Sequence, residues 1–288
     1  MQQVSAELVE WLQNEIGRGC RPEVLIESMI KAGYEADFAR NVINASFASL
    51  EALEGKRPNV LGANLEGTLK INTDPLPGNF IRTSDRDVQV LLNMQSPRIM
   101  LFGGLLSDEE CDGIIEFSRA KMARSHVVDS DAGGTREDEA RTSTGAAFQR
   151  GETALHTRIE KRISELLGWP VEHGEGLQIL HYNIGGEYKP HYDYFHHDRP
   201  GEAEQLKTGG QRIATLVMYL NDVEAGGGTI FPELGLETMP KKGNAIYFAY
   251  GGMDGTLDSR SLHGGAPVER GEKWIATKWI RQHPYQLT

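Results

Sequence analysis

Apolar residues recur at helical spacing near the N-terminus and at strand spacing through the C-terminal half. Leu8, Trp11, Leu12 and Ile16 fall on one face of a first helix that Ser5 can cap, and Gly17 and Gly19 interrupt the pattern. Pro22 suits the first turn of a second helix carrying Leu25, Ile26, Met29 and Ile30 on one side and closed by Gly33. A third helix is predicted over 35–48. From about 54 to 80 the periodicity fades into Gly, Pro and Asn, as in GKRPNVLGANLEG, which predicts a linker. The expected division is a small helical unit at 1–53, a linker at 54–80 and a larger domain at 81–288.

That domain opens with a predicted strand near Arg98–Phe102 and a helix starting at Ser107-Asp-Glu-Glu110, where serine and glutamate stand at capping-box spacing. A further helix over roughly 152–167 ends before Gly168. Short runs rich in Val, Ile, Tyr and Phe follow at Leu177–Tyr182, Ile213–Leu220, Thr229–Phe231, Ala245–Tyr250 and Trp274–Ile280, each bounded by turn or charged residues. Two helices followed by many short strands predict an antiparallel sandwich or jelly roll buttressed by helices on one face. Glycine, at 33 of 288 residues, exceeds the usual ~7% and fits many tight turns.

A formal net charge of −11 argues against a nucleic-acid partner, because neutralising phosphates needs a basic surface. Apolar runs are too short to span a bilayer, so no membrane association is expected. The first fifteen residues lack the basic start and apolar stretch of a secretory signal, and the cytoplasm is the expected location. Cys20 and Cys111 fall one in each predicted unit, which gives no disulfide framework and predicts inert buried thiols.

His191 and Asp193 stand two residues apart, so on an extended strand both side chains leave one face and can share a metal. Alone the pair is weak and needs a third ligand. His263, on a predicted turn after the next stretch of strands, can supply it: two imidazoles and one carboxylate on one face of an octahedral iron leave three positions open. Ten residues on, Lys273 is placed to meet the distal carboxylate of a dicarboxylic acid. Lys278 and Arg270 are rival cations nearby, and His196 and His197 read as solvated loop residues.

The chain closely resembles the prolyl 4-hydroxylase branch of the 2-oxoglutarate dioxygenases from about 97 to 283. The resemblance rests on SDEEC at 107–111, ARTSTG at 140–145, EGLQILHY at 175–182, the His-x-Asp pair, RIATLVMYLNDVEAGGGTIFP at 212–232 and HGGAPVERGEKWIATKW at 263–279. It implies an α+β fold with a double-stranded β-helix (jelly roll) core and buttressing helices, to which the small N-terminal helical unit is added. It also implies Fe(II) held by His191, Asp193 and His263, and 2-oxoglutarate held by Lys273, Tyr182 and Thr229. O2 would be the oxidant, L-ascorbate the rescuing reductant, and succinate and CO2 the coproducts.

Tyr188, Trp279, Arg212 and Glu175 match family positions lining a groove for a proline-containing peptide, although Glu175 and Arg212 also read as a structural ion pair. No catalytic residue is expected beyond the metal and cosubstrate ligands. Arg281 departs from the histidine of plant and algal relatives, and substrate contacts there do not transfer. The polar stretches 127–147 and 195–211 resemble lids and are expected to order on substrate binding. Two other functions stay open: the same chemistry on a non-prolyl or free amino-acid substrate, and a non-catalytic metal-binding scaffold. The N-terminal helices are candidates to hold a protein partner.

Overall fold

The computed structural model describes residues 8, 11–12, 22–43, 79–124, 126–128, 135–137, 142–251 and 256–286, with backbone alone at 126–128 and 135–137. The chain forms two units, Met1–Gly62 and Ala63–Thr288. In the first, helix α1 (Pro22–Lys31) begins at a proline, whose missing N–H and fixed φ suit a first turn. The chain leaves the helix through Gly33 at φ +92°. Helix α2 spans residues 36–43. Leu8, Leu12, Leu25, Met29, Ala39 and Ile43 bury together. Leu25 and Met29, four apart, take that core, whereas Ile30, expected beside them, is 41% exposed. Ser5, Ile16 and the linker stretch up to residue 78 lie outside the described residues.

The second unit begins with β1 (Phe80–Arg82), so Phe80 at the end of the predicted linker is already strand. There follow β2 (Asp87–Met94), β3 (Ile99–Gly103), helix α3 (Asp108–Arg119), β4 (Ala123–Arg124), β5 (His126–Val128), β6 (Thr135–Glu137), β7 (Thr144–Phe148) and helix α4 (Ala154–Leu167). Next come β8 (Leu177–Tyr182), β9 (Tyr188–His191), helix α5 (Pro200–Leu206), β10 (Arg212–Tyr219), β11 (Ala225–Gly226), β12 (Thr229–Phe231) and β13 (Leu236–Thr238). The last strands are β14 (Ala245–Ala249), β15 (His263–Gly265), β16 (Val268–Arg270) and β17 (Lys273–Arg281).

Among the described residues these strands build a nine-stranded sheet in the order β1-β2-β3-β14-β10-β17-β8-β7-β4 and a four-stranded sheet in the order β13-β12-β15-β9. Two ribbons, β11-β16 and β5-β6, complete the set. Every pairing is antiparallel. The unit is therefore mixed helix and sheet, dominated by one large antiparallel sheet.

Helix α3 carries the capping box read from its sequence: the Ser107 hydroxyl accepts from Glu110 N, and the Glu110 carboxylate accepts from Ser107 N. Helix α4 is capped by Thr153 and ends at Gly168 in the left-handed region. Both helices cover one face of the large sheet, where Ile114, Ile159, Ile163 and Leu166 meet Leu216, Met218, Trp274 and Ala276. Removing side chains of this size from water contributes about 1.5–3 kcal/mol each.

Strand parity decides what lies on the other face. Val217 and Tyr219 of β10 and Ile275 of β17 turn away from the helices and meet Phe231, Tyr182 and Leu180 in a second core. Lys273, Thr277 and Trp279 share the parity of Ile275 and line a cavity on this side. Lys278 has the opposite parity, and its ammonium is buried against Glu160 of α4. The alternation thus separates the two cations of GEKWIATK.

Two loop expectations change. Of 127–147, residues 127–128 belong to β5, 135–137 to β6 and 144–147 to β7, which runs on to Phe148 and pairs with β8 from Thr144↔His181 to Phe148↔Leu177. Residues 129–134 and 138–141 lie outside the described residues, and the small Gly145, Ala146 and Ala147 of β7 resemble a loop in sequence. Within 195–211, Pro200 starts the short helix α5. That segment is fastened: the Gln211 side chain bonds both backbone groups of Phe195, and the Arg281 guanidinium donates to the Gln205 and Thr208 carbonyls.

Candidate active site

His191 and His263 are brought together by backbone pairing. Strands β9 and β15 run antiparallel with His191 opposite His263, and the ring centroids are 4.4 Å apart. His263 was expected on a turn; it begins a three-residue strand whose other members are both glycine, which hid the pairing in the sequence. Asp193 was expected on the strand that presents His191. It lies just beyond the end of β9, yet its carboxylate comes within 3.6 Å of His191 Nε2 and 3.5 Å of His263 Nε2. One ligand atom from each of the three residues lies within 4.8 Å of the others.

Each imidazole is held in the tautomer a metal needs. Nδ1 of His191 is 2.9 Å from the Lys189 carbonyl and Nδ1 of His263 is 3.0 Å from the Ser261 carbonyl. A carbonyl only accepts, so each ring carries a proton on Nδ1, and Nε2 is the nitrogen directed at Asp193 and available to a metal. Burial pushes His263 down to about 4, against the pull of the Asp193 charge, so the ring is neutral near pH 7. Burial alone would raise the Asp193 carboxyl, but the two histidines and Arg212 outweigh it and hold the group ionised, well below the usual range.

Lys273 is 3% exposed and faces the same cavity. No hydrogen bond or ion pair links its ammonium to an acid among the described residues, and burial pushes it down to about 8, only partly countered by Glu237. A buried cation of this kind is suited to hold a carboxylate. Tyr182 pairs with Lys273 across β8 and β17, its ring 5.6 Å from the ammonium. The Thr229 hydroxyl accepts from Tyr219 OH at 2.8 Å. Tyr182, Thr229, Tyr188 and Trp279 all line the cavity with the three metal-ligand candidates and Lys273.

Two imidazoles, one carboxylate and a buried cation make a donor set that fits Fe(II) with a dicarboxylate cosubstrate. A family described as the 2OG-Fe(II) oxygenase superfamily matches this chain over residues 177–281. Prolyl 4-hydroxylase 5 of Arabidopsis thaliana is 42% identical over 210 residues, covering 66% of this chain and 70% of that protein. The chain belongs to this oxygenase superfamily, in its prolyl 4-hydroxylase branch. Probable prolyl 4-hydroxylase 10 of the same plant is 44% identical over 210 residues, with 66% and 71% covered. The 2OG complex of the viral collagen prolyl hydroxylase from Paramecium bursaria Chlorella virus-1 aligns with a TM-score of 0.51 at 32% identity, over 64% of this chain and 95% of the viral one.

In this oxygenase the remaining groove candidates stand beside the cavity. The Tyr188 ring stacks on His191 with centroids 3.6 Å apart. Arg212 lies over the Trp279 ring at 3.9 Å and forms a bidentate pair with Glu175 at 2.7 and 2.9 Å. Glu175 and Arg212 therefore satisfy each other and brace Trp279. His196 is half-buried and His197 exposed, away from the ligand set, and Arg270 is exposed on β16.

Sequence reading assigned no role to three hydroxyls of this oxygenase that bond to the site residues or to one another. Thr215 donates to Asp193 and bonds to Tyr250, and Tyr219 holds Thr229; Lys278, weighed in the sequence as a rival cation for the cosubstrate, instead donates to the Glu175 carbonyl. The three hydroxyls stand inside apolar strand runs, where they read as core. Parity alone could have flagged Thr215, which shares the face of Val217 and Tyr219.

Proposed function

We propose that this chain hydroxylates prolyl residues of a peptide or protein, converting 2-oxoglutarate and O2 to succinate and CO2. Iron would be held by His191, Asp193 and His263. The observation that carries this reading is the convergence of two oriented imidazoles and a carboxylate beside a buried lysine that has no acid bonded to it among the described residues. The bound iron and cosubstrate supply the oxidising power that inserts oxygen into an unactivated C–H bond.

The protein's own residues hold and orient. Lys273 neutralises the far carboxylate of 2-oxoglutarate, and Tyr182 and Thr229 fix its approach. Tyr188, stacked on His191, and Trp279, stiffened by Arg212 and Glu175, offer two aromatic faces to an extended proline-containing segment, which arrives with little conformational entropy to lose. The apolar second core beneath the site, built from Leu180, Val217, Phe231 and Phe248, limits water around the reacting carbon.

The sheet order, with a four-stranded sheet facing the large one, supports a double-stranded β-helix with helices α3 and α4 as buttresses. L-ascorbate is proposed as the reductant that restores iron after uncoupled turnovers. The N-terminal unit is proposed as a separate docking module, supported by Val24 and Ile30, which stand exposed on α1.

The test is to incubate iron-loaded protein with 2-oxoglutarate and proline-rich peptides, and to read succinate together with peptide mass. The expected result is a gain of one oxygen on proline, lost in Asp193→Ala. Succinate formation with oxygen on another residue or a free amino acid would redirect the substrate assignment. No turnover across a broad peptide panel would favour the scaffold.

A further inference from the structure

Beneath the metal-ligand candidates, the Thr215 hydroxyl lies 2.7 Å from Oδ2 of Asp193 and 2.8 Å from the Tyr250 hydroxyl. Thr215 is fully buried and Tyr250 is 2% exposed. The direction of both bonds follows from proton counting. An ionised carboxylate only accepts, so Thr215 donates to Asp193. Thr215 has one proton, so its oxygen must accept from Tyr250.

A one-way chain, Tyr250 to Thr215 to Asp193, therefore ends on a single carboxylate oxygen. Neighbouring hydrogen bonds in such a chain polarise and strengthen one another where water is excluded. Backbone geometry makes it possible: Thr215 shares the site face of β10 with Val217 and Tyr219, and Tyr250 follows directly on β14, the strand paired with β10. Tyr250 is held in place in turn, its ring packing against Tyr194 and Phe248.

We propose that Thr215, backed by Tyr250, is a positioning residue that fixes the rotation of the Asp193 carboxylate by tying down Oδ2, so that the group presents a single oxygen to the metal. This proposal rests on the assignment of His191, Asp193 and His263 as the metal ligands. The reason lies in the count of coordination sites. Two histidines and a carboxylate leave three positions on an octahedral metal only if the carboxylate uses one oxygen. A carboxylate free to rotate can grip with both and take a position that the cosubstrate needs. Asp193 lies just past the end of β9, outside the ladder, so the backbone holds it less firmly than it holds His191. The hydroxyl bond supplies the missing constraint, as groups bonded to metal ligands do when they fix ligand orientation.

The experiment uses full-length protein and Mn(II), with binding of the ion and then of 2-oxoglutarate measured by titration in the absence of turnover. Thr215→Val, close in shape and lacking the hydroxyl, is expected to weaken Mn(II) binding about 10- to 100-fold. The Mn(II)-loaded variant is expected to show weakened 2-oxoglutarate binding as well. Thr215→Ser keeps the donor and is expected to restore both affinities to within about threefold of wild type. Tyr250→Phe removes the backing donor and is expected to fall between the two. Melting of the metal-free variants is followed in parallel.

Wild-type affinities in Thr215→Val overturn the proposal. So does failure of Thr215→Ser to recover binding while its metal-free form melts with wild type, since the hydroxyl would then not be the active feature. Failure of the wild-type protein to bind Mn(II) at all would overturn the metal-site assignment itself, which is a different outcome from either.

Discussion

Replacing Lys273 by methionine should make the metal-free protein more stable and the enzyme unable to hold its cosubstrate. Burial brings the ammonium from its ordinary 10.5 down to about 8. Over roughly 2.5 pH units at about 1.4 kcal/mol each, the metal-free fold carries roughly 3 kcal/mol of destabilisation from this one charge. The direction follows from the proton balance. Below about pH 8 the lysine is protonated in both folded and unfolded chains, and the whole penalty applies. Between about pH 8 and 10.5 the unfolded chain binds the extra proton, so this group makes stability rise with pH.

Methionine matches the lysine stem in length and removes the charge, with the side chain packed closely against Gly227 and Gly265. At about 2–4 °C per kcal/mol for a domain of this size, the metal-free variant should melt up to about 10 °C above wild type, with a flatter response between about pH 8 and 10. Cosubstrate binding should move the other way. Removing one partner of a buried charge pair costs about 2–5 kcal/mol, or roughly 30- to several-thousand-fold in 2-oxoglutarate affinity. Calorimetric titration of Mn(II)-loaded protein measures it. The wild type should also take up a proton on binding above about pH 8 and lose affinity as pH rises further, a dependence that Lys273→Met abolishes. A variant that melts lower than wild type and still binds 2-oxoglutarate normally would refute the reasoning, because Lys273 would then be satisfied within the protein.

Three further outcomes test the frame around the site. Burial would raise the Glu110 carboxyl, but its bonds to Arg162, Ser107 N and Arg158 hold it at about 2; this stabilisation, roughly 3 kcal/mol, is present above about pH 4.5 and lost as pH falls through about 2. Glu110→Gln should therefore flatten acid destabilisation in that window, read by urea unfolding at a series of pH values, and an unchanged acid limb would remove the Arg162 network from the account. Gly264→Ala would set a Cβ 2.8 Å from the Tyr188 carbonyl and 3.1 Å from Pro190 N; backbone cannot swing aside, so β15 should shift from β9 and Mn(II) affinity should fall at least about tenfold, and unaltered affinity would show that this pairing does not set the ligand spacing. Lys278→Met leaves Glu160 buried without its partner and should cost about 3–5 kcal/mol in denaturant unfolding, largely recovered in Lys278→Met/Glu160→Gln; failure of the double variant to recover would place the cost in packing.

Elements buried on both faces are plain in the sequence and those at edges are not. Strands β8, β10 and β17 stand as largely apolar runs because helices cover one side and the small sheet the other. Strand β9 is YKPH, an edge strand whose Lys189 and Pro190 face solvent and suit a strand that must not pair further. Both features argue against a strand when only the sequence is in view. The three metal-ligand candidates could be named because imidazoles and carboxylates are scarce and chemically distinctive. Thr215 could be flagged only by strand parity, and Tyr219 and Tyr250 not at all, because a buried hydroxyl announces itself through its partner and the partners here come from other segments.

The ion pairs that hold the domain together and the residues that hold the proposed substrates are parts of one connected set. Glu160 on α4 pairs with Lys278, whose ammonium also donates to the Glu175 carbonyl. The Glu175 side chain holds Arg212, and Arg212 braces Trp279 and reaches the Asp193 carbonyl. Every link but α4 lies on β10, β17 or the segments flanking β8 and β9, so strand parity alone sends Lys278 to the helix face and Trp279, its neighbour, to the site face. A displacement at Glu160 is thus transmitted through two salt bridges to the wall of the groove, while Thr215 ties the same strand, β10, to the carboxylate of Asp193. Lys278→Met should for that reason weaken peptide binding as well as the fold, and Lys278→Met/Glu160→Gln, which removes the buried charge without restoring the bond to the Glu175 carbonyl, should recover stability ahead of peptide affinity.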